Sequence, residues 1–234
     1  DIYSPQGKLL EFNMQEVTIP GRSTDTVRFT PFIYGTNANK WEPGAKNPPL
    51  YKVMLFTRRD GAYREYMLLK IGFGKTELVD GRLTRFDKEL KLVKAGYNAA
   101  ADRKTTLAEL KALKAKGNNT ICPDYPQPGW FYDLCDELGL YVIDCANINA
   151  PEKRDDRKVG GTPSNDPSLA DEYLERVKAM YYRSRNHSCV IAFALGGESG
   201  NGYNMYKAYE WLKSVEKSRP VICADADGEW NSDL

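Results

Sequence analysis

The segment Ala194-Leu-Gly-Gly-Glu-Ser-Gly200 holds the residue best suited to chemistry, Glu198. The apolar run Cys189–Leu195 delivers a single carboxylate into a loop of small residues. Withdrawal from water favours the protonated form of a carboxyl group, so a glutamate placed in this way can act as a proton donor. Gly196, Gly197 and Gly200 leave room beside it for a ligand. The plainer alternative is a glutamate that caps the following helix or is simply solvated. Asp124, Asn147 and Asn149 also follow apolar runs and, with Gly197, are the candidates for binding a polar substrate. Asp144 has two readings, a carboxylate facing the same ligand or a buried structural one. His187, the only histidine, stands just before a strand and is expected to be structural. Trp130, Phe131 and Tyr132 are either a sugar-stacking platform or helix packing.

These residues need elements to hold them. Residues 1–80 read as β: short runs at Leu9–Phe12, Val27–Phe32, Tyr51–Thr57 and Tyr66–Phe73 are separated by Gly, Pro and Asn clusters. Arg59-Asp60-Gly61 between two of them is a hairpin signal. Four or five such strands predict part of an immunoglobulin-like antiparallel sandwich. After about residue 82 strands and helices alternate. The expected order is strand Leu90–Gly96, helix Thr106–Lys116, strand Asn119–Cys122, helix Gly129–Glu137 and strand Leu140–Ala146. A long helix led by Asp166 and Pro167 follows, then strand Cys189–Leu195, helix Tyr203–Lys217 and strand Pro220–Cys223. Thr106 and Glu109 have capping-box spacing, and Gly117 and Gly139 end the first two helices. Four βα units and a fifth strand imply an open doubly wound sheet or part of a (β/α)8 barrel. The lack of a Gly-rich dinucleotide turn after the first strand favours the barrel.

A formal net charge of +1, with 28% charged residues, implies no nucleic-acid partner, and no apolar run is long enough to span a bilayer as a helix. Five cysteines without paired spacing argue against a disulfide framework and against a zinc site. Four of them lie in or beside strand-like runs, as small buried hydrophobes do. The chain begins at Asp1, so no targeting segment is read from it.

Several segments together resemble family 2 glycoside hydrolases, with beta-galactosidase closest in character. They are Phe131-Tyr-Asp-Leu-Cys-Asp-Glu-Leu-Gly-Leu-Tyr-Val-Ile-Asp144 with Ala146-Asn-Ile148, Tyr173–Lys178, Arg185-Asn-His187, Leu195–Gly200 and Ser218-Arg-Pro-Val221. Pro49-Leu-Tyr51 and Ile71-Gly-Phe73 resemble the end of the family's sandwich domain. The resemblance runs in order from about residue 41 to 222. It implies a multi-domain β and α/β chain: residues 1–80 closing an immunoglobulin-like β-sandwich, residues 81–234 opening a TIM barrel. It also implies a carbohydrate substrate, Glu198 as the acid/base at the end of the fourth barrel strand, and a retaining mechanism whose nucleophile, a second glutamate, lies on a seventh strand beyond residue 234.

The departures from the family pattern concern the same site. The asparagine expected before the acid/base is Gly197, and the arginine and histidine of the second strand's end appear as Cys122 and Asp124. The glutamate and histidine that bind magnesium in beta-galactosidases appear as Asn149 and Pro151, so no cofactor is expected. A histidine-containing loop is replaced by Asn98–Asp102. Two functions remain open: a glycosidase acting on β-galactoside-type sugars, and a non-catalytic homologue that binds carbohydrate or serves as a scaffold. A β-sandwich adhesion module is disfavoured by the barrel half. Open flanks on the first and fifth strands would favour a homo-oligomer.

Overall fold

The computed structural model describes residues 1–43 and 47–234. Two compact units divide them: one of Asp1–Trp41 and Pro49–Phe73, the other of Gly74–Leu234 with the described residues of Glu42–Pro48.

In the first unit, β1 (Ile2–Tyr3), β2 (Leu9–Glu11), β3 (Tyr51–Arg59) and β4 (Ala62–Ile71) form one antiparallel sheet in the order β2-β1-β3-β4. The expected hairpin forms at Asp60-Gly61, both with positive φ (53° and 76°), between the paired Arg59 and Ala62. That is the two-residue turn whose twist matches the flanking strands. Trp41 is fully buried; its N–H donates to the Phe73 carbonyl (2.9 Å), and Gly72 leaves the space its ring occupies. The expected strand Val27–Phe32 does not form. Pro31 removes a ladder donor, and Phe29 and Phe32 are exposed, so this run buries no face that would fix a strand register.

The second unit opens with an antiparallel meander of β5 (Thr76–Val79), β6 (Arg82–Arg85) and β7 (Lys88–Glu89). The expected domain boundary at 80/81 falls inside this meander, at the Asp80-Gly81 turn between β5 and β6, whereas the two units divide at Phe73/Gly74. Next comes a five-stranded parallel sheet of β8 (Lys94–Gly96), β9 (Thr120–Cys122), β10 (Tyr141–Cys145), β11 (Val190–Ala194) and β12 (Val221–Ile222). The spatial order equals the chain order, β8 to β12, with no reversal. A doubly wound sheet would reverse at its switch point, whereas successive βα units of a barrel do not. The sheet is therefore that of an incomplete α/β barrel.

The connecting helices are α1 (Arg103–Ala115), α2 (Gly129–Leu138), α3 (Ala170–Ser184) and α4 (Tyr203–Val215). All five residues of β10 are buried, as are Val190–Phe193 of β11, the pattern of parallel strands covered on both faces. Phe131, Leu134, Val177, Met180 and Leu212 supply buried apolar surface from the helices. The capping box expected at Thr106 and Glu109 is not used. Asp102 caps α1 instead, accepting from the Thr105 N–H at 2.9 Å; Thr106 accepts from the Ala100 N–H, and Glu109 accepts the Tyr97 hydroxyl. Asp166 accepts from the Ser168 N–H and opens a 3-10 turn, Pro167–Leu169, that runs straight into α3. Among the described residues no helix is long and apolar enough to cross a membrane.

Candidate active site

The polar side chains singled out by sequence follow the C-terminal ends of the parallel strands, where barrel proteins build their sites. Asp124 follows β9, Asn147 and Asn149 follow β10, and Gly197 and Glu198 follow β11. The loops after β10 and β11 are joined by backbone: Gly197 N–H donates to the Ile148 carbonyl and Ala150 N–H to the Glu198 carbonyl, each at 2.9 Å. This pairing brings Asn149 beside Gly197. A Cβ on Gly197 would lie 3.5 Å from Asn149 Oδ1, an ordinary contact. Asn147 is exposed, and its carbonyl accepts from Arg176.

Two expectations about the glycine loop need correcting. A Cβ on Gly196 would meet the Ile148 carbonyl at 2.8 Å, and one on Gly200 (φ 70°) the Arg154 carbonyl at 2.3 Å. These glycines make room for neighbouring backbone, and Gly197 is the member of the loop that leaves space for a side chain. Glu198 itself is not withdrawn from water: its side chain is 68% exposed. Its ion-pair partner is Arg154, with Nη1 3.5 Å from Glu198 Oε1.

Asp124 belongs to a different local network. It accepts from Asn98 Nδ2 (2.7 Å), its N–H donates to Asn98 Oδ1 (2.9 Å), and Gln127 donates to the same Asn98 oxygen. Asn98 thus ties the loop after β8 to the loop after β9. The structure draws Gly197, Glu198 and Asn149 together and holds Asp124 on Asn98.

Asp144 resolves to the structural reading. It is fully buried and accepts from the Tyr132 hydroxyl (2.8 Å) and the Cys145 N–H (3.2 Å). Burial pushes its carboxyl up to about 6. Phe131 and Tyr132 are fully buried too, which removes both from any sugar platform. His187 stands at the opposite end of β11, where its Nδ1 lies 2.7 Å from Asp136 Oδ2 while Asp136 Oδ1 accepts from the Cys189 N–H. Cys135, Cys145, Cys189 and Cys223 are buried, Cys122 is half-buried, and burial raises all five thiols.

Sequence reasoning missed Arg154 and gave Asp225 no place in the site. Asp225 lies three residues beyond β12, at the same end of the sheet, and its side chain is 8% exposed. One carboxylate oxygen accepts from Ser199 N–H (2.8 Å) and Gly200 N–H (2.6 Å); the other accepts from Arg154 Nη2 (2.7 Å). The strand-end rule that selected Glu198 also points to Asp225. Arg154, in the long connection between β10 and α3, carried no such signal.

Among the described residues no group of three His, Cys, Asp or Glu side chains could hold a metal ion. At Asn149 and Pro151, where the resemblance would put magnesium ligands, Asn149 offers one side-chain carbonyl and Pro151 no side-chain oxygen. A hard cation that wants about six oxygen ligands is poorly served there.

A parallel α/β sheet in sequential order, with polar side chains gathered after its strands, defines the α/β-barrel class. Residues 97–233 match the description "Glycosyl hydrolases family 2, TIM barrel domain", and the chain belongs to that family. It is 34% identical over 185 residues to a beta-galactosidase of Vibrio cholerae serotype O1, and 36% identical over 190 residues to one of Lactococcus lactis; each match covers 74% of this chain. The chain spans 18% of the length of these curated relatives. Among solved structures, a putative beta-galactosidase from Bacteroides fragilis superposes with a TM-score of 0.76 at 17% identity, covering 95% of this chain and 33% of that one. A beta-glucuronidase from an uncultured Clostridium superposes with a TM-score of 0.64 at 17% identity, covering 79% and 33%.

Proposed function

We propose that this chain supplies the acid/base half of a retaining glycosidase that acts on β-galactoside-type carbohydrates. Glu198 donates a proton to the glycosidic oxygen as the bond to the anomeric carbon breaks, then takes a proton from the water that releases the sugar. The nucleophile that forms the glycosyl-enzyme bond belongs to the family's seventh strand. Asn149, Asn147, Asp124 and the Gly197 backbone line the sugar side. Residues 1–80 are read as the closing strands of an immunoglobulin-like sandwich, and residues 81–234 as the first part of the barrel.

The observation that carries this reading is the position of Glu198: a single carboxylate just past the fourth parallel strand, in a loop tied by two backbone hydrogen bonds to the loop after β10 and open to solvent. Curated beta-galactosidases among the relatives favour galactose over other sugars as the first ligand to try. The second reading, a carbohydrate-binding homologue without turnover, is favoured by Gly197, which stands where the family places an asparagine.

A ligand titration followed by NMR separates the possibilities. Galactose should perturb the amides of Gly197, Glu198 and Asn149 more than glucuronate or mannose does. Perturbation by none of the three, or confined to residues away from the strand ends, would sink the carbohydrate site.

A further inference from the structure

Glu198 sits on an exposed loop, yet a proton donor must be held to within a fraction of an ångström of its target. Its own strand cannot do this, because β11 ends at Ala194, four residues earlier. Two backbone bonds tie Gly197 and Glu198 to the loop after β10, and the Ser199 carbonyl accepts from the Thr162 and Ser164 hydroxyls (2.7 Å each); the N–H groups after Glu198 are held by a buried carboxylate on the next strand's connection. Asp225 accepts the N–H groups of Ser199 and Gly200, the two residues directly after Glu198, with a single oxygen. Its second oxygen holds Arg154, whose other guanidinium nitrogen is the one 3.5 Å from the Glu198 carboxylate. Arg154 is pinned at its backbone too, since its carbonyl fills the space beside Gly200 where a Cβ would stand. Hydrogen bonds to a charged acceptor are about twice as strong as neutral ones, and a planar guanidinium bridges two carboxylates with little freedom to swing. Arg157 braces the same turn, donating to the Asp225 carbonyl (3.0 Å) and to Glu229 (2.6 Å).

We propose that Asp225 and Arg154 are the positioning residues of Glu198: Asp225 fixes the backbone that follows it, and Arg154, tethered by Asp225, sets the direction of its carboxylate. This rests on Glu198 being the acid/base. Neither side chain need touch the sugar; both act through the glutamate.

Two readouts on the 234-residue chain test the idea. The first is amide hydrogen exchange at Ser199 and Gly200, which reads the clamp independently of the chemistry of Glu198. The second is esterification of Glu198 by an N-bromoacetyl β-galactosylamine, in which a carboxylate oxygen displaces bromide; Glu198→Gln is the unlabelled control. Asp225→Asn should speed exchange at both amides roughly ten- to a hundred-fold, the effect of weakening charge-assisted hydrogen bonds, while amides of α4 keep their protection. It should also slow esterification by about ten-fold or more. Arg154→Met should slow esterification with little change in exchange, and Arg154→Lys, which keeps the charge but not the two-nitrogen bridge, should restore part of the rate. An unchanged esterification rate in both Asp225→Asn and Arg154→Met, with exchange faster in Asp225→Asn, would overturn the positioning role. Wild-type chain that is never esterified at Glu198 would instead overturn the acid/base reading, while the exchange result still reports the clamp. If Asp225→Asn fails to fold, the contrast between Arg154→Met and Arg154→Lys decides alone, and equal rates there overturn the proposal.

Discussion

The Tyr132 hydroxyl donates to Asp144 Oδ1 at 2.8 Å, and both side chains are fully buried. The same hydroxyl accepts from the Gln127 N–H (3.0 Å), so one phenol links α2, β10 and the loop after β9. Removing it leaves a buried carboxyl group and a buried amide each short of a partner. Tyr132→Phe should lower stability by about 1–3 kcal/mol, read from the urea midpoint at unchanged slope. A variant as stable as wild type would mean that the hydroxyl is replaced or was never needed.

Asp144 makes stability depend on pH in an unusual direction. Burial raises its carboxyl from the ordinary 3.8 to about 6 in the folded chain. Between these values the folded state binds more protons than the unfolded one, so this group's contribution falls as pH rises from about 4 to 6 and is flat above. The difference amounts to about 3 kcal/mol at most. Glu216 and Asp233 act oppositely: although burial works against it, Arg219 and Lys213 hold their carboxyls below the ordinary range. The quantity to measure is therefore the stability of wild type minus that of Asp144→Asn. It should decline across pH 4–6, and parallel profiles would refute the assignment.

The two glycines flanking Glu198 should respond differently to substitution. Gly200→Ala forces a Cβ to within 2.3 Å of the Arg154 carbonyl at a positive φ, and should cost about 2–4 kcal/mol. Gly197→Asn, which introduces the residue that the resemblance places there, meets Asn149 and the Ile148 carbonyl at 3.5–3.9 Å and should stay within about 0.5 kcal/mol of wild type. Thermal melts that rank the two in the reverse order would show that the loop packs otherwise.

Magnesium should leave this chain unaffected. Isothermal titration should find no submillimolar site, because Asn149 and Pro151 provide too few oxygen ligands. A site that disappears in Glu198→Gln would show that the ligands lie around the acid/base.

The 234-residue chain by itself should not hydrolyse nitrophenyl β-galactoside above background. A retaining mechanism needs two carboxyl groups roughly 5 Å apart across the glycosidic bond, and general acid help alone is worth only about 10²–10⁴-fold. Turnover that is lost in Glu198→Ala would mean that another carboxylate of these five strands, Asp124 or Asp225, serves as the nucleophile.

Much of this protein is written in local signals. Asp60-Gly61 specifies its turn through backbone conformations that few residues other than Gly, Asn and Asp tolerate, and Gly139 ends α2 with a positive φ for the same reason. Apolar runs such as Cys189–Leu195 announce strands buried on both faces, so the βα alternation and the strand-end position of Glu198 are legible without coordinates. Local signals also compete. Asp102 and Thr106 are both plausible caps for α1, and the choice fell to Asp102 because Thr106 is drawn into the turn at Ala100. Val27–Phe32 alternates like a strand but has no partner edge, and a strand is a property of a pair.

What only the tertiary structure decided are the contacts between residues far apart in sequence. Arg154 and Asp225 are 71 residues apart and meet because β10, β11 and β12 lie side by side, so that their following loops share one end of the sheet. The space beside Gly196 and Gly200 is likewise filled by the loop after β10. A sequence window registers that glycine permits close approach, but which chain approaches depends on strand order and register.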